Sequence, residues 1–190
     1  MKRGTLLSRK GIGAAPLILA LIVVLAGVLL LYRNWQQERE VTKGGTGTMA
    51  EPSGSRTAPA FSLKDTNGNI FSSVQLNGKP AAINFFATWC PPCREEIPGF
   101  VEVYNRHKEN GFELIGISLD TDTRENLPGF MMSNKIGYKI LVGDLAIARA
   151  YGGVSSIPTT FFVGRDGKIK SVHTGYMDKD AFDKEVRKLL

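Results

Sequence analysis

Residues 84–98 read NFFATWCPPCREEIP and contain both cysteines of this 190-residue chain, Cys90 and Cys93. An apolar run, residues 81–87, leads into the cysteines, and a helical pattern follows them. A thiol at the N-terminus of a helix meets the positive end of the helix dipole and free N–H groups, which stabilise its thiolate. The spacing therefore predicts a redox-active pair in which Cys93 can form a disulfide with Cys90 and release a bound partner.

Helical periodicity distinguishes the two cysteines and the acid that follows them. Projected back along the helix from the apolar residues Ile97 and Phe100, Cys93 falls on the apolar face. Cys90 falls at the helix start, where its sulfur is expected to meet solvent. Cys90 is therefore the predicted attacking thiol and Cys93 the resolving thiol. Glu96 borders the buried face, so it is either a desolvated acid that exchanges protons with Cys93 or an ordinary solvated acid of the helix.

Pro91 and Pro92 separate the two cysteines. Neither proline has a backbone N–H to donate to a Cys90 thiolate, and no cationic residue lies between the cysteines. Stabilisation of the reduced form is what makes such a pair oxidising. The two prolines therefore favour a reductant or isomerase-like role.

The N-terminal part of the chain carries a different signal. Residues 14–31 are 18 residues without a charge, and as a helix they would extend about 27 Å, close to the thickness of the hydrocarbon core of a bilayer. Residues 14–32 are therefore predicted to form an uncleaved transmembrane anchor, because the run exceeds the ~7–15 residues of a signal peptide and no small-x-small cleavage site follows it. The basic segment 1–13 is expected to lie in the cytoplasm. Residues 33–58, rich in Gly, Ser and Thr, are predicted to be a flexible linker to an extracytoplasmic domain over residues 59–190.

The distribution of charge argues against a nucleic-acid partner. The net charge is +6, but residues 1–58 hold eight of the 24 Lys and Arg and only three of the 18 Asp and Glu. That segment therefore carries +5, and the rest of the chain carries +1. A basic surface for nucleic acid would require the opposite distribution.

The pattern in residues 59–190 predicts an α/β domain. Asn67-Gly68 lies between two short apolar runs and predicts a β-hairpin. Strands and helices then alternate, and a second hairpin over residues 159–173 precedes a final amphipathic helix. This order predicts a mixed sheet flanked by helices.

A family resemblance rests on residues 84–98, on residues 157–163, which read IPTTFFV, and on Asp166-Gly167. Together these stretches resemble the TlpA/ResA/CcmG group of the thioredoxin superfamily. The resemblance implies a thioredoxin-like fold over residues 59–190, with an N-terminal hairpin and a central insertion within residues 121–142.

The same resemblance implies the substrate-binding residues. A cis peptide before Pro158 would lie opposite the cysteines and expose the backbone of Ile157 to an incoming substrate strand. Asn84 stands where thioredoxins have a buried Asp, and Glu96 matches the acid that replaces it in this group. The residues expected to contact substrate are Trp89, Pro91, Pro92, Ile157 and Pro158.

By resemblance, the chain is expected to be a protein-disulfide reductase that acts outside the cytoplasmic membrane on exported proteins and needs no cofactor. Apocytochrome c is the leading substrate, which implies a role in cytochrome c maturation. A membrane protein of the CcdA/DsbD type is the expected electron donor. A general extracytoplasmic disulfide reductase remains an alternative.

Two other classes of protein remain open. A peroxiredoxin-like antioxidant is one, since residues 61–79 also resemble that relative, although residues 88–90 are spaced as Thr-x-Cys and peroxiredoxins have Thr-x-x-Cys. A metal-binding module is the other, because CxxC is half of a tetrahedral zinc site. His107 and His173 are 66 residues apart and lack the spacing of the other half, and His107 is expected on the helix surface.

Overall fold

The computed structural model describes Leu25, residues 27–31 and residues 56–190. The chain separates into two compact units, Met1–Met49 and Ala50–Leu190. In the first unit, the described residues are helical, and their leucine and valine side chains are exposed.

The predictions for the N-terminus fall mostly outside the described residues. This applies to the basic segment 1–13, to the anchor 14–32 and to most of the linker 33–58. Among the parts of the chain that the structure describes, no helix has both the length and the hydropathy to cross a bilayer.

Residues 56–190 of the second unit form one sheet of seven strands and four α-helices. The strands are β1 Ser62–Asp65, β2 Ile70–Ser72, β3 Ala81–Phe86, β4 Glu113–Ser118, β5 Lys139–Val142, β6 Thr159–Val163 and β7 Ile169–Thr174. The helices are α1 Pro91–His107, α2 Leu127–Ser133, α3 Leu145–Ala150 and α4 Lys179–Leu189. The strand order is β2-β1-β5-β4-β3-β6-β7.

The sheet is mixed, as predicted, and β3 lies inside it. Strand β3 pairs in parallel with β4 and antiparallel with β6, and all six of its residues are buried. Its alternate side chains enter two apolar cores, one on each face of the sheet. Because β3 is held on both edges and both faces, its end is a rigid base for the segment that carries the cysteines.

Both additions to the sheet expected from the resemblance are present. Strands β1 and β2 form an antiparallel hairpin, and Gly68 in its turn has φ +86°, a value that favours glycine. Residues 121–142 contribute α2 and β5, and β5 lies between β1 and β4 in the sheet. The inserted segment therefore joins the hairpin to the central strands.

The start of the folded domain differs slightly from the predicted boundary at residue 59. The Ala58 N–H donates to the Gly167 carbonyl at 2.9 Å, and the Ile169 N–H donates to the Arg56 carbonyl at 2.8 Å. Residues 56–58 therefore pair with the turn between β6 and β7. Their composition is typical of a linker, and only this pairing shows that they belong to the domain.

The helices α1 and α4 pack together on one face of the sheet. The rings of Phe100 and Phe182 stack with centroids 3.8 Å apart. His107 is buried, and its Nε2 lies 2.7 Å from Asp183 Oδ1. The expectation of a surface position for His107 was therefore wrong, because α4 covers the end of α1.

Candidate active site

The cysteines lie at the start of α1, directly after the end of β3. The Cys90 N–H donates to the Ala87 carbonyl at 3.2 Å, which turns the chain from the strand into the helix. Cys90 is the N-cap of α1, and Pro91 and Pro92 occupy its first positions. Proline is favoured there because the first N–H groups of a helix have no partner within the helix.

Cys90 and Cys93 form a disulfide, with Cα atoms 5.3 Å apart. Cys93 is completely buried, whereas Cys90 retains 3% of its surface. Cys90 is the more exposed of the two cysteines, as the helical projection predicted, but it meets much less solvent than expected. The Cys93 N–H lies 3.4 Å from Cys90 Sγ and donates to it.

The segment before β6 encloses Cys90 from the other side. The Ile157–Pro158 peptide is cis, as the resemblance implied. The Ile157 carbonyl oxygen lies 3.7 Å from Cys90 Sγ. The Pro158 carbonyl accepts from the Gly175 N–H at 2.8 Å, which holds this segment against the end of β7. The backbone of Ile157 therefore borders the sulfur that is predicted to attack.

Glu96 is buried beneath the cysteines, with 2% of its surface exposed. Its Oε1 accepts from Asn84 Nδ2 at 2.8 Å, and its Oε2 accepts from the Met177 N–H at 3.3 Å. Burial raises the pKa of Glu96 to about 8, although the hydrogen bonds from Asn84 and Met177 oppose this effect. Of the two interpretations left open by the sequence, the structure favours the desolvated acid.

Three of the predicted substrate-binding residues are next to Cys90 in the sequence or one residue further on, and they differ in exposure. Trp89 is 60% exposed, Pro91 is exposed and Pro92 is half-buried. An exposed indole beside a reactive thiol offers a large apolar contact to a partner protein. The roles of these residues in binding remain predictions.

Replacing Trp89 with alanine is expected to lower kcat/KM for a protein disulfide about tenfold, because a central aromatic contact typically contributes more than 1 kcal/mol to binding. Reduction of the enzyme's own disulfide by dithiothreitol should stay unchanged, since that small reagent does not need the indole. A matched control is Ile70→Ala, which removes an apolar side chain of similar exposure, 69%, on the edge strand β2. Equal losses in both variants would contradict a binding role for Trp89.

The sequence interpretation missed a buried carboxylate beside the site, that of Asp120, which is 1% exposed. Its oxygens accept from the N–H of Thr88 at 3.1 and 3.2 Å and from the Thr88 hydroxyl at 2.6 Å. A usable signal existed, because Asp120 lies two residues after the end of β4, a buried parallel strand next to β3. Polar residues at the carboxyl ends of such strands tend to line functional sites.

The two histidines lie apart and have other partners. His107 pairs with Asp183, and a ring nitrogen of His173 lies 3.0 Å from the Tyr176 carbonyl oxygen. Within the described residues, no group of three or more His, Cys, Asp or Glu side chains is arranged to hold a metal ion.

The fold and the site define a class of protein. A central strand that leads into a CxxC disulfide at a helix N-terminus, with a cis-proline segment opposite, is the arrangement of a thioredoxin-like thiol-disulfide oxidoreductase. Comparisons with known proteins agree. The sequence model of the AhpC/TSA family matches residues 55–172. Because this match covers more than half of the chain, the chain belongs to that family.

The similar proteins are thiol-disulfide oxidoreductases. The thiol-disulfide oxidoreductase ResA of Bacillus subtilis is 35% identical over 121 residues, which are 63% of this chain and 66% of that protein. The ResA of Halalkalibacterium halodurans is 30% identical over 161 residues, 84% of each chain. A solved thiol:disulfide interchange protein of the thioredoxin family from Chlorobium tepidum has a TM-score of 0.66 and 35% identity, covering 75% of this chain and 99% of its own. The chain is therefore an enzyme that catalyses thiol-disulfide exchange.

Proposed function

We propose that this enzyme is a membrane-anchored, extracytoplasmic reductase of disulfides in exported proteins. The surroundings of Cys90 Sγ are the observation that supports reduction, and not oxidation, of substrate proteins. One backbone N–H, that of Cys93, donates to this sulfur at 3.4 Å, and Pro91 and Pro92 have none to add. A sparsely solvated thiolate leaves the reduced form poorly stabilised, which makes the dithiol a better electron donor.

The proposed reaction begins with the Cys90 thiolate. It attacks one sulfur of the substrate disulfide, a mixed disulfide forms, and the other substrate sulfur leaves as a thiolate that takes up a proton. Cys93 then loses its proton and attacks Cys90 Sγ, which releases the second substrate thiol and leaves the Cys90–Cys93 disulfide. Glu96 is the nearby group that can accept the Cys93 proton, since it lies one helical turn further along the same buried face. The substrate gains the two electrons that the enzyme loses.

The anchor, the substrate and the donor rest on the sequence. Residues 14–32 are apolar enough to span a bilayer, and the basic segment 1–13 favours a cytoplasmic N-terminus. Similarity to the TlpA/ResA/CcmG group supports apocytochrome c as the substrate and a CcdA/DsbD-type membrane protein as the donor. The oxidised enzyme would be returned to the dithiol by that donor.

The test has two measurements, the redox state of the cysteines in cells and the reduction of a defined peptide substrate. Thiols of the full-length chain are alkylated rapidly in intact cells, and a reductase is expected to be recovered mainly as the dithiol. The reduced, purified chain should reduce a peptide that contains an intramolecular CxxCH disulfide. The comparison is a peptide whose disulfide joins two cysteines that are distant in its sequence. Equal rates of reduction for the two peptides would indicate a general reductase. A chain found mainly as the disulfide in cells, with a potential of about −120 mV, would be an oxidant instead.

A peroxidase is the alternative that the family name keeps open, and local geometry argues against it. The Thr88 hydroxyl donates to Asp120 at 2.6 Å, so it is engaged away from the sulfur of Cys90. The reactive cysteine of a peroxiredoxin also has an arginine nearby. The candidate here is Arg94 in α1, and within the described residues its side chain makes no hydrogen bond to Cys90. Peroxide consumption by the reduced chain, measured beside peptide reduction, discriminates the two activities.

A further inference from the structure

Asp120 joins two parts of the chain that the reaction does not otherwise connect. Its carboxylate accepts from Thr88, in the loop that leads to the cysteines, and from the hydroxyl of Thr123, in the inserted segment. The Ser118 hydroxyl at the end of β4 donates to it as well, at 2.6 Å. Three different segments therefore converge on one buried carboxylate.

The carboxylate is charged despite its burial. Burial by itself would raise the pKa of Asp120, but the hydrogen bonds from Ser118, Thr123 and Thr88 outweigh it and hold the pKa below its usual value. All the hydrogen-bond partners named are neutral donors, so they solvate the negative charge without cancelling it. A fixed negative charge therefore remains at the base of the active-site loop.

This charge lies close to the attacking sulfur. Asp120 Oδ2 is 3.1 Å from the Thr88 nitrogen, and Thr88 and Cys90 belong to one tight turn closed by the bond from the Cys90 N–H to the Ala87 carbonyl. The backbone from Thr88 to Cys90 spans at most about 7 Å and the Cys90 side chain adds about 3 Å, so the carboxylate lies within roughly 13 Å of the sulfur. At that distance, across a protein interior, two negative charges repel measurably.

We propose that Asp120 is a positioning residue that fixes the active-site loop against the inserted segment and, through its negative charge, disfavours the Cys90 thiolate and keeps the pair reducing. The inference depends on thiol-disulfide exchange by Cys90 and not on which protein is the substrate. The charge of Asp120 is then a second cause of the reducing character, beside the absence of N–H groups in Pro91 and Pro92.

Other ionisable groups near the cysteines have different positions. Glu96 lies beneath the pair on α1, and Tyr138, before β5, shares the same apolar core. Arg94 and Glu95 on α1, and Asp122 in the inserted segment, are exposed. Among the described carboxylates near the cysteines, Asp120 is the one that accepts hydrogen bonds from the loop preceding Cys90.

The test measures the pKa of the Cys90 thiol in the reduced full-length chain, in a Cys93→Ala background so that Cys90 is the single thiol. Asp120→Asn should lower the pKa of Cys90 by up to about one, because the repulsion between the two negative charges is lost. In the chain with both cysteines, the equilibrium with glutathione should move up to about tenfold toward the dithiol, equivalent to about 30 mV. Asp120→Ser is a smaller neutral replacement that gives the same expectation if the asparagine variant folds poorly.

Two kinds of control separate charge from structure. Ser118→Ala and Thr123→Ala each remove one hydrogen bond to the Asp120 carboxylate and keep its charge, so they should lower the stability and leave the pKa of Cys90 unchanged. Asp122→Asn removes an exposed neighbouring charge and should change neither. If folded Asp120→Asn and Asp120→Ser leave the pKa of Cys90 at the wild-type value, the proposal is overturned, while reduction of the CxxCH peptide by these variants would still support the proposed function.

Discussion

Replacing Cys93 with alanine is expected to convert the enzyme into a trap that accumulates mixed disulfides through Cys90. Cys90 Sγ borders the Ile157 backbone, where a substrate strand can lie, whereas Cys93 is completely buried. Without Cys93, the first exchange proceeds and the second cannot, because no thiol is placed to attack the mixed disulfide. Turnover should fall to the uncatalysed rate, and partners should appear as higher bands on non-reducing gels.

Cys90→Ala is the matched variant. It should show neither turnover nor trapped partners, because the remaining thiol lies beneath the surface. Identification of the proteins trapped by Cys93→Ala in cells would name the substrate. Capture of partners by Cys90→Ala, with none captured by Cys93→Ala, would show that the roles of the two cysteines are reversed.

Replacing Glu96 with glutamine is expected to slow the resolving step about 10²-fold, since a positioned general base typically contributes at least that factor. Glu96 must be ionised to accept the Cys93 proton, and its pKa is about 8. In the wild type, resolution should therefore accelerate as the pH rises toward 8, and this acceleration should be absent in Glu96→Gln. Rapid mixing of the preformed mixed disulfide at several pH values measures the step directly.

The same carboxyl group makes the stability depend on pH with a defined sign. The pKa of Glu96 is raised from 4.5 to about 8 by burial, so between these values the folded chain holds a proton that the unfolded chain releases. The free energy of unfolding contributed by Glu96 therefore falls as the pH rises, by about 3 to 4 kcal/mol between pH 5 and pH 8. Urea unfolding of the oxidised full-length chain, compared with Glu96→Gln, isolates this contribution.

Glu95 is the control for both measurements of Glu96. It precedes Glu96 in the same helix and is exposed, so Glu95→Gln changes the net charge equally without affecting a buried group. Its rate profile and pH-dependent stability should match those of the wild type. If Glu96→Gln retained the full pH dependence of resolution, another group would have to accept the Cys93 proton.

Local pattern accounts for most of the secondary structure. The Asn67-Gly68 hairpin, the second hairpin over residues 159–173 and the final amphipathic helix are all present where periodicity and turn residues predicted them. Such signals depend on neighbours within one or two turns, which a single sequence displays directly. Packing was less predictable: His107 was expected on the surface of its helix but is buried, because α4 covers the end of α1.

Local sequence is enough to predict that two cysteines, separated by prolines without N–H groups, begin a helix after a buried strand, and hence that the chain carries a thiol-disulfide pair. The surroundings of that pair depend on the folding of distant segments. The contact of Cys90 with Ile157 joins residues 67 apart, that of Glu96 with Met177 joins residues 81 apart, and that of Thr88 with Asp120 joins residues 32 apart. Periodicity can assign a side chain to a face, but burial and hydrogen-bond partners depend on which distant segment covers that face. For this reason the raised pKa of Glu96 and the buried charge of Asp120 emerge only from the folded chain.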